Sequence, residues 1–81
     1  MPRYFFNVHD GTDIRDAAGT ELPDLMGARR HAVRYASELL LGIGDTFWDG
    51  HDWSMDVRDA TGLCLFTLHF VATDAPSTSR H

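Results

Sequence analysis

Residues 23–41, PDLMGARRHAVRYASELLL, are the only part of the chain with sustained helical periodicity. Leu25, Ala28, Ala32, Ala36, Leu39 and Ile43 recur at spacings of three and four, and Met26, Val33 and Leu40 widen the stripe. Arg29, Arg30, Arg34 and Glu38 fall mostly on the other side, which gives one apolar face and one wet face. Pro23 suits a first helical turn, where its missing N–H costs nothing. Asp24 puts negative charge at the positive end of the helix dipole. Gly42 and Gly44 offer left-handed positions at which the helix can stop. Gly27 weakens the first turn by about 1 kcal/mol relative to Ala. A helix of this length spans roughly 27 Å and a seven-residue strand roughly 23 Å. One such helix therefore covers one face of a small sheet, and its apolar stripe needs that sheet to be stable.

Working outward, Arg3 to His9 alternates as a strand, with Tyr4, Phe6 and Val8 on one face and Phe5, Asn7 and His9 on the other. Asp10-Gly11 is a turn signal, and a short second strand at about Thr12 to Arg15 folds back. Asp16-Ala17-Ala18-Gly19 turns again, and Glu21-Leu22 leads into the helix. Beyond the helix, Asp45 to Asp52 reads as an acidic loop in which Phe47 and Trp48 are expected to be anchored, because an exposed pair of that size is costly to hydrate. Trp53 to Arg58 is a third strand, in which Trp53, Met55 and Val57 alternate with Ser54, Asp56 and Arg58. Asp59-Ala60-Thr61-Gly62 turns it, and Leu63 to Val71 is a fourth. Cys64, Phe66, Leu68 and Phe70 are expected on its apolar face. Ile14 to Gly19 echoes Val57 to Gly62, which reads as one turn chemistry used twice: Asp bonds its own backbone and Gly supplies positive φ.

The expected fold is α+β in β-β-α-β-β order. A mainly antiparallel sheet of three to four strands carries the helix on one face. The helical crossover allows the first and third strands to be neighbours, parallel and right-handed. Residues 1–72 form a single domain, and residues 73–81 read as a disordered tail. A chain of 81 residues buries only somewhat over 60% of its unfolded surface, so modest stability or help from association is expected.

Composition narrows the function. The single cysteine excludes an intrachain disulfide framework and a Cys-rich zinc site. With no secretory signal and no apolar run of membrane-spanning length, a cytoplasmic protein is the simplest expectation and a membrane is not a partner. The net charge of −5 argues against nucleic acid. All seven basic residues are Arg, which reads as genome composition rather than function.

Two His-Asp pairs are candidate metal ligands, His9-Asp10 and His51-Asp52. With Asp45 and Asp49 they would make a mixed N/O site. The plainer reading, a turn residue and a solvated acidic loop, is preferred, and the loop lacks the calcium-binding D-x-[DN]-x-[DN]-G run. Cys64 is expected to be buried and inert. Ser37 and Ser54 lack a G-x-S-x-G context. The glycines form neither G-x-G-x-x-G nor a P-loop, so no cofactor and no catalytic residue are expected. Arg29, Arg30 and Arg34 form a basic patch able to hold a phosphate or an acidic partner, or simply the wet helix face, with Glu38 available to Arg34 at i,i+4.

The frame MPRYFFNVHDG, then Asp16-x-x-Gly19-x-Glu21-Leu22-Pro23-Asp24, the Ala-rich helix, and Trp53-x-x-x-Val57-x-Asp59-x-x-Gly62-x-x-Leu65 resembles a family of small bacterial proteins known mainly from alphaproteobacteria. Its members often carry His where Asn7 stands here. The resemblance covers nearly the whole chain up to about Phe70. It implies a stand-alone cytoplasmic domain and supplies no activity and no catalytic residue.

Apolar excess on the sheet is the more informative feature. A helix about 10 Å wide covers two to three strands on one face only. Phe5, Leu63 and Leu65 are then left on the second face, which is expected to pack on another copy or a protein partner unless the loop bearing Phe47 and Trp48 folds over it. The expected function is a non-catalytic binding or regulatory module working through protein–protein contact as a homodimer. The alternatives are a metal-dependent enzyme using the His-Asp pairs and an antitoxin-like, nucleic-acid-associated regulator.

Overall fold

Arg3–Asp10 forms β1, the strand on which the sheet is built. The structure, a computed structural model, describes residues 1–49 and 52–76. After the Asp10-Gly11 turn the chain returns along β1 in two short pieces, β2 (Asp13–Ile14) and β3 (Thr20–Glu21). Val8 stands opposite Ile14, and Arg3 opposite Glu21. The helix α1 (Leu25–Leu41) follows, then one 3-10 turn (Thr46–Asp49), β4 (Trp53–Arg58) and β5 (Cys64–Phe70). The sheet runs β2-β1-β4-β5, with β3 also paired to β1, and every pairing is antiparallel. The fold is α+β as expected, but the returning strand is split in two, so the antiparallel sheet has five strands.

The first and third expected strands are neighbours, β1 and β4, but antiparallel rather than parallel. The reason lies in the return segment. It already carries the chain back to the start of β1, so α1 runs alongside β1 toward its end. β4 must then begin opposite Asp10 and descend.

The split in the return strand is closed by side chains. Residues 15–19 leave the ladder, and Asp16 takes over its hydrogen bonds. Its carboxylate accepts from the Phe6 N–H at 3.1 Å and the Gly19 N–H at 2.9 Å, while its own N–H donates to Asn7 Oδ1 at 2.9 Å. Gly19 has φ +73°, and a Cβ there would lie 2.8 Å from Arg3 Cγ and 2.9 Å from Phe5 Cε2. Only glycine fits this crossing. The echoed turn works as expected: Asp59 accepts from the Thr61 and Leu63 N–H groups, and Gly62 has φ +92°.

The core is the face expected from the alternation. Tyr4, Phe6 and Val8 of β1, and Trp53, Met55 and Val57 of β4, pack under Ala28, Ala32 and Ala36 of α1. The three alanines let the helix lie close over bulky strand residues. His31 and Tyr35 flank them and meet Phe6, with ring centroids 4.8 and 6.5 Å away. Met26 and Val33 lie outside the contact and are exposed.

The helix ends differ from expectation. Asp24 is the N-cap, accepting from the Gly27 N–H at 2.8 Å, so Pro23 precedes the helix rather than opening it. At the far end neither Gly42 nor Gly44 has positive φ. Tightened bonds from the N–H groups of Gly42 and Ile43 to the carbonyls of Leu39 and Leu40 finish α1 instead. Among the described residues no ion pair joins Arg34 to Glu38. Most of the tail expected over residues 73–81 lies outside the described residues.

Candidate functional site

The sheet face away from the helix carries Asn7 and His9 from β1 and Asp56 and Arg58 from β4. Register brings them together: Asn7 stands directly opposite Asp56, and His9 is its diagonal neighbour. They lie in an open cleft of about 610 Å³ that also takes in Asp13 and Phe5.

Asp56 is the hub and is the one buried charged residue of the described core. It accepts from Asn7 Nδ2 at 3.3 Å and Arg58 Nε at 2.7 Å, and its Oδ1 lies 2.5 Å from His9 Nε2. The other ring nitrogen of His9 lies 2.7 Å from Asp13 Oδ1. A neutral imidazole has one N–H and would set its lone pair against one of these carboxylates. The imidazolium donates to both.

The protonation equilibria follow this geometry. The hydrogen bonds to Asp13 and then Asp56 raise the His9 pKa above its usual 6.5, against a smaller opposing effect of burial. For Asp56, burial raises the pKa, but hydrogen bonds from His9, Arg58 and Asn7 together outweigh it and hold the carboxyl below its usual range. Both ring nitrogens of His9 are engaged by carboxylates, which leaves neither free to act as a general base in this arrangement. NMR titration of the His9 ring is expected to give a midpoint above 6.5, falling toward 6.5 in Asp13→Asn. A wild-type midpoint at or below 6.5 would contradict the doubly bonded ring.

The sequence candidates are distributed differently. His9 enters the cleft, but its two carboxylate partners sit on opposite edges of the ring and do not converge on one point. Among the described residues no group of three or more His, Cys, Asp or Glu side chains could hold a metal ion. Asp10 ends β1 opposite Trp53, so Asp52 is the next residue along, while His51 lies outside the described residues. Asp49 closes the 3-10 turn.

Cys64 is exposed, not buried. A bulge between Val57 and Arg58 sets Cys64 opposite Arg58, on the cleft side of the sheet. The extra residue is Leu65, which is half-buried against the core rather than free on the second face. The second face is thus mainly polar: Phe5 and Ile14 are the large apolar side chains among the described residues lining its cleft, and Phe5 lies against Gly19. Leu63 stays exposed. The loop aromatics do not cross to that face. Phe47 packs on the core at the helix side, while Trp48 is 64% exposed and only edge-stacked on Phe47. Together with Leu40 and Phe70 they line a notch of about 180 Å³ beside the end of β5.

Among the described residues β5 has a partner on one side only. Its sequence, CLFTLHF, holds no proline and no Lys, Arg, Asp or Glu. Proteins usually protect such an edge with charge, proline or a covering element.

Among the described residues no helix is long and apolar enough to cross a membrane. No curated protein and no solved structure matches the chain. A family model described as Domain of unknown function (DUF6894) matches residues 3–71, from the first residue of β1 to one residue past β5, and the chain belongs to that family.

Proposed function

We propose that the chain is a non-catalytic binding module that works as a homodimer, joined through the free edges of two β5 strands. The uncharged, unprotected edge of β5 carries this reading. Antiparallel pairing about a twofold axis at Thr67 is self-complementary. It sets Phe66 against the partner's Leu68 on the core face and Thr67 against the partner's Thr67 on the cleft face. It also brings Leu63, 61% exposed, toward the partner's Val71, and Val71 is itself 65% exposed. No like charges meet. Two small sheets become one continuous sheet, which offsets the limited core of a short chain. Trp48 and Phe47 flank the joint, whereas Phe5 lies across the sheet from it. A cytoplasmic setting accords with a lone, unpaired cysteine.

The metal-dependent alternative gains no support from His9, whose nitrogens both face carboxylates. Nucleic acid as a partner is disfavoured by the net charge of −5.

Sedimentation equilibrium on the full chain tests the dimer. Thr67→Lys is the informative variant, because Thr67 is exposed, so the monomer tolerates it, while the twofold sets the two lysines against each other. The wild-type chain is expected to dimerise at micromolar concentration. Thr67→Lys is expected to weaken the dimer at least about tenfold, which is about 1.4 kcal/mol. Phe5→Asp is expected to leave it intact. A wild-type monomer at all concentrations, or a dimer indifferent to Thr67→Lys, would sink the proposal.

A further inference from the structure

We infer that the N-terminal half of α1 carries a binding site for a small phosphate group, free phosphate or a compact phosphate monoester. A pocket of about 210 Å³ lies between the helix and the segment that enters it, lined by Leu22, Pro23, Gly27, Arg30, His31 and Arg34. Leu22 directly follows β3, so the pocket flanks the sheet edge opposite β5 and is independent of the proposed dimer joint.

Three observations converge on an anion. Arg30 and Arg34 are one helical turn apart on the same face, and like charges at that spacing repel. Among the described residues neither enters an ion pair, in a chain whose net charge is −5. The acids at the helix start are engaged elsewhere: Asp24 accepts from the Gly27 N–H, and Glu21 pairs with Arg3 at 3.2 Å; among the described residues Glu38, one turn beyond Arg34, forms no ion pair with it. Two unneutralised guanidinium groups therefore share one concavity.

His31 completes the set. Its ring is held in place, 4.8 Å from Phe6 and 6.1 Å from Tyr35 between centroids. The ring is half-buried, yet its nitrogens have no hydrogen-bond partner among the described residues. No buried side-chain nitrogen lacks a partner among the described residues, so the His31 nitrogens are open to solvent and to a ligand in the pocket. In either protonation state the ring offers an N–H to an oxyanion.

Size and shape select the ligand. The volume equals about seven waters at roughly 30 Å³ each, below the roughly 300 Å³ at which pockets for drug-sized ligands begin. That is room for one phosphate with a few further atoms against Leu22 and Pro23. Two guanidinium groups and an imidazole N–H suit a phosphate, because arginine forks pair with phosphate oxygens two at a time.

The test is a heteronuclear NMR titration of the full chain with inorganic phosphate and with glycerol 3-phosphate, against chloride at matched ionic strength. A third arm uses vesicles containing phosphatidate. Saturable shifts confined to residues 22–35 are expected with both soluble probes. Arg30→Gln combined with Arg34→Gln is expected to weaken binding at least tenfold, and His31→Gln to weaken it by less. Arg29→Gln, outside the pocket, should bind as the wild type does. Both arginines are exposed, so the double variant keeps its fold, which the same spectra verify. Shifts with vesicles alone, shifts equal to those with chloride, or equal losses in Arg29→Gln and the double variant would each overturn the inference.

Discussion

Trp53→Ala is expected to remove about 3–5 kcal/mol of stability, in a chain whose total is of the order of 4–12 kcal/mol. Trp53 is 1% exposed and opens β4 at the centre of the sheet, directly opposite Asp10 of β1 and Phe70 of β5. Truncation leaves a cavity at the end of the core where α1, β4 and β5 meet. The alanines of the helix carry only a methyl group each and cannot fill that space. The large transfer and cavity terms therefore both apply. Urea denaturation followed by circular dichroism measures the loss, and Trp48 remains as a fluorescent reporter. Retention of wild-type stability would mean that the core is not organised around Trp53. Trp48 makes the contrast: it is far bulkier than the alanines yet mostly outside the core.

Asp56→Ala is expected to cost about 2–3 kcal/mol, because it leaves the His9, Arg58 and Asn7 donors facing an empty centre. The loss stays below that of a fully buried ion pair because the His9 and Arg58 side chains are 42% and 43% exposed, and water can take them up. The pH dependence is the sharper signature. Because the Asp56 pKa is lowered, its contribution is present above the unfolded value of 3.8 and disappears as pH falls through the folded value. Because the His9 pKa is raised, its contribution is complete below the unfolded value of 6.5 and disappears as pH rises through the folded one. The network thus stabilises most between about 3.8 and 6.5. Thermal unfolding across that range should show wild-type stability falling off on both sides, and Asp56→Ala should flatten the acid limb and reduce the alkaline one, where the Asp13 bond to His9 remains. A variant with the wild-type pH profile would show that the network is not electrostatically coupled to folding.

The polar hub illustrates what a sequence conceals. Alternation in β1 and β4 placed Asn7, His9, Asp56 and Arg58 on the face away from the helix, but no local pattern says that Asn7 stands opposite Asp56. That pairing joins residues 49 positions apart, and it follows only once the direction of β4 is known. His9 was legible as a candidate, yet its sequence neighbour Asp10 is not its partner; Asp13 and Asp56 are. The pocket beside the start of the helix was half legible. Arg30 and Arg34 at helical spacing were visible as a patch, whereas the placement of the His31 ring beside them was not, because its stacking on Phe6 is a tertiary contact.

By itself the sequence determined the periods: one amphipathic helix, strands with Tyr4, Phe6 and Val8, and Trp53, Met55 and Val57, on a common face, and two Asp-to-Gly turns of the same chemistry. It also carried enough of its frame to point to a family of unknown function. These features depend on residues within one or two turns of each other, where sterics and hydrogen bonding act locally. The tertiary structure decided the rest. The direction of β4 depended on where the return strand delivered the chain. The exposure of Cys64 depended on a one-residue bulge, which turns side chains to the other face of a strand. The split between β2 and β3 depended on Asp16 reaching Phe6 across the gap. Each of these is fixed by competition among distant segments for the same hydrogen bonds and the same core, and a local period carries no record of which segment prevails.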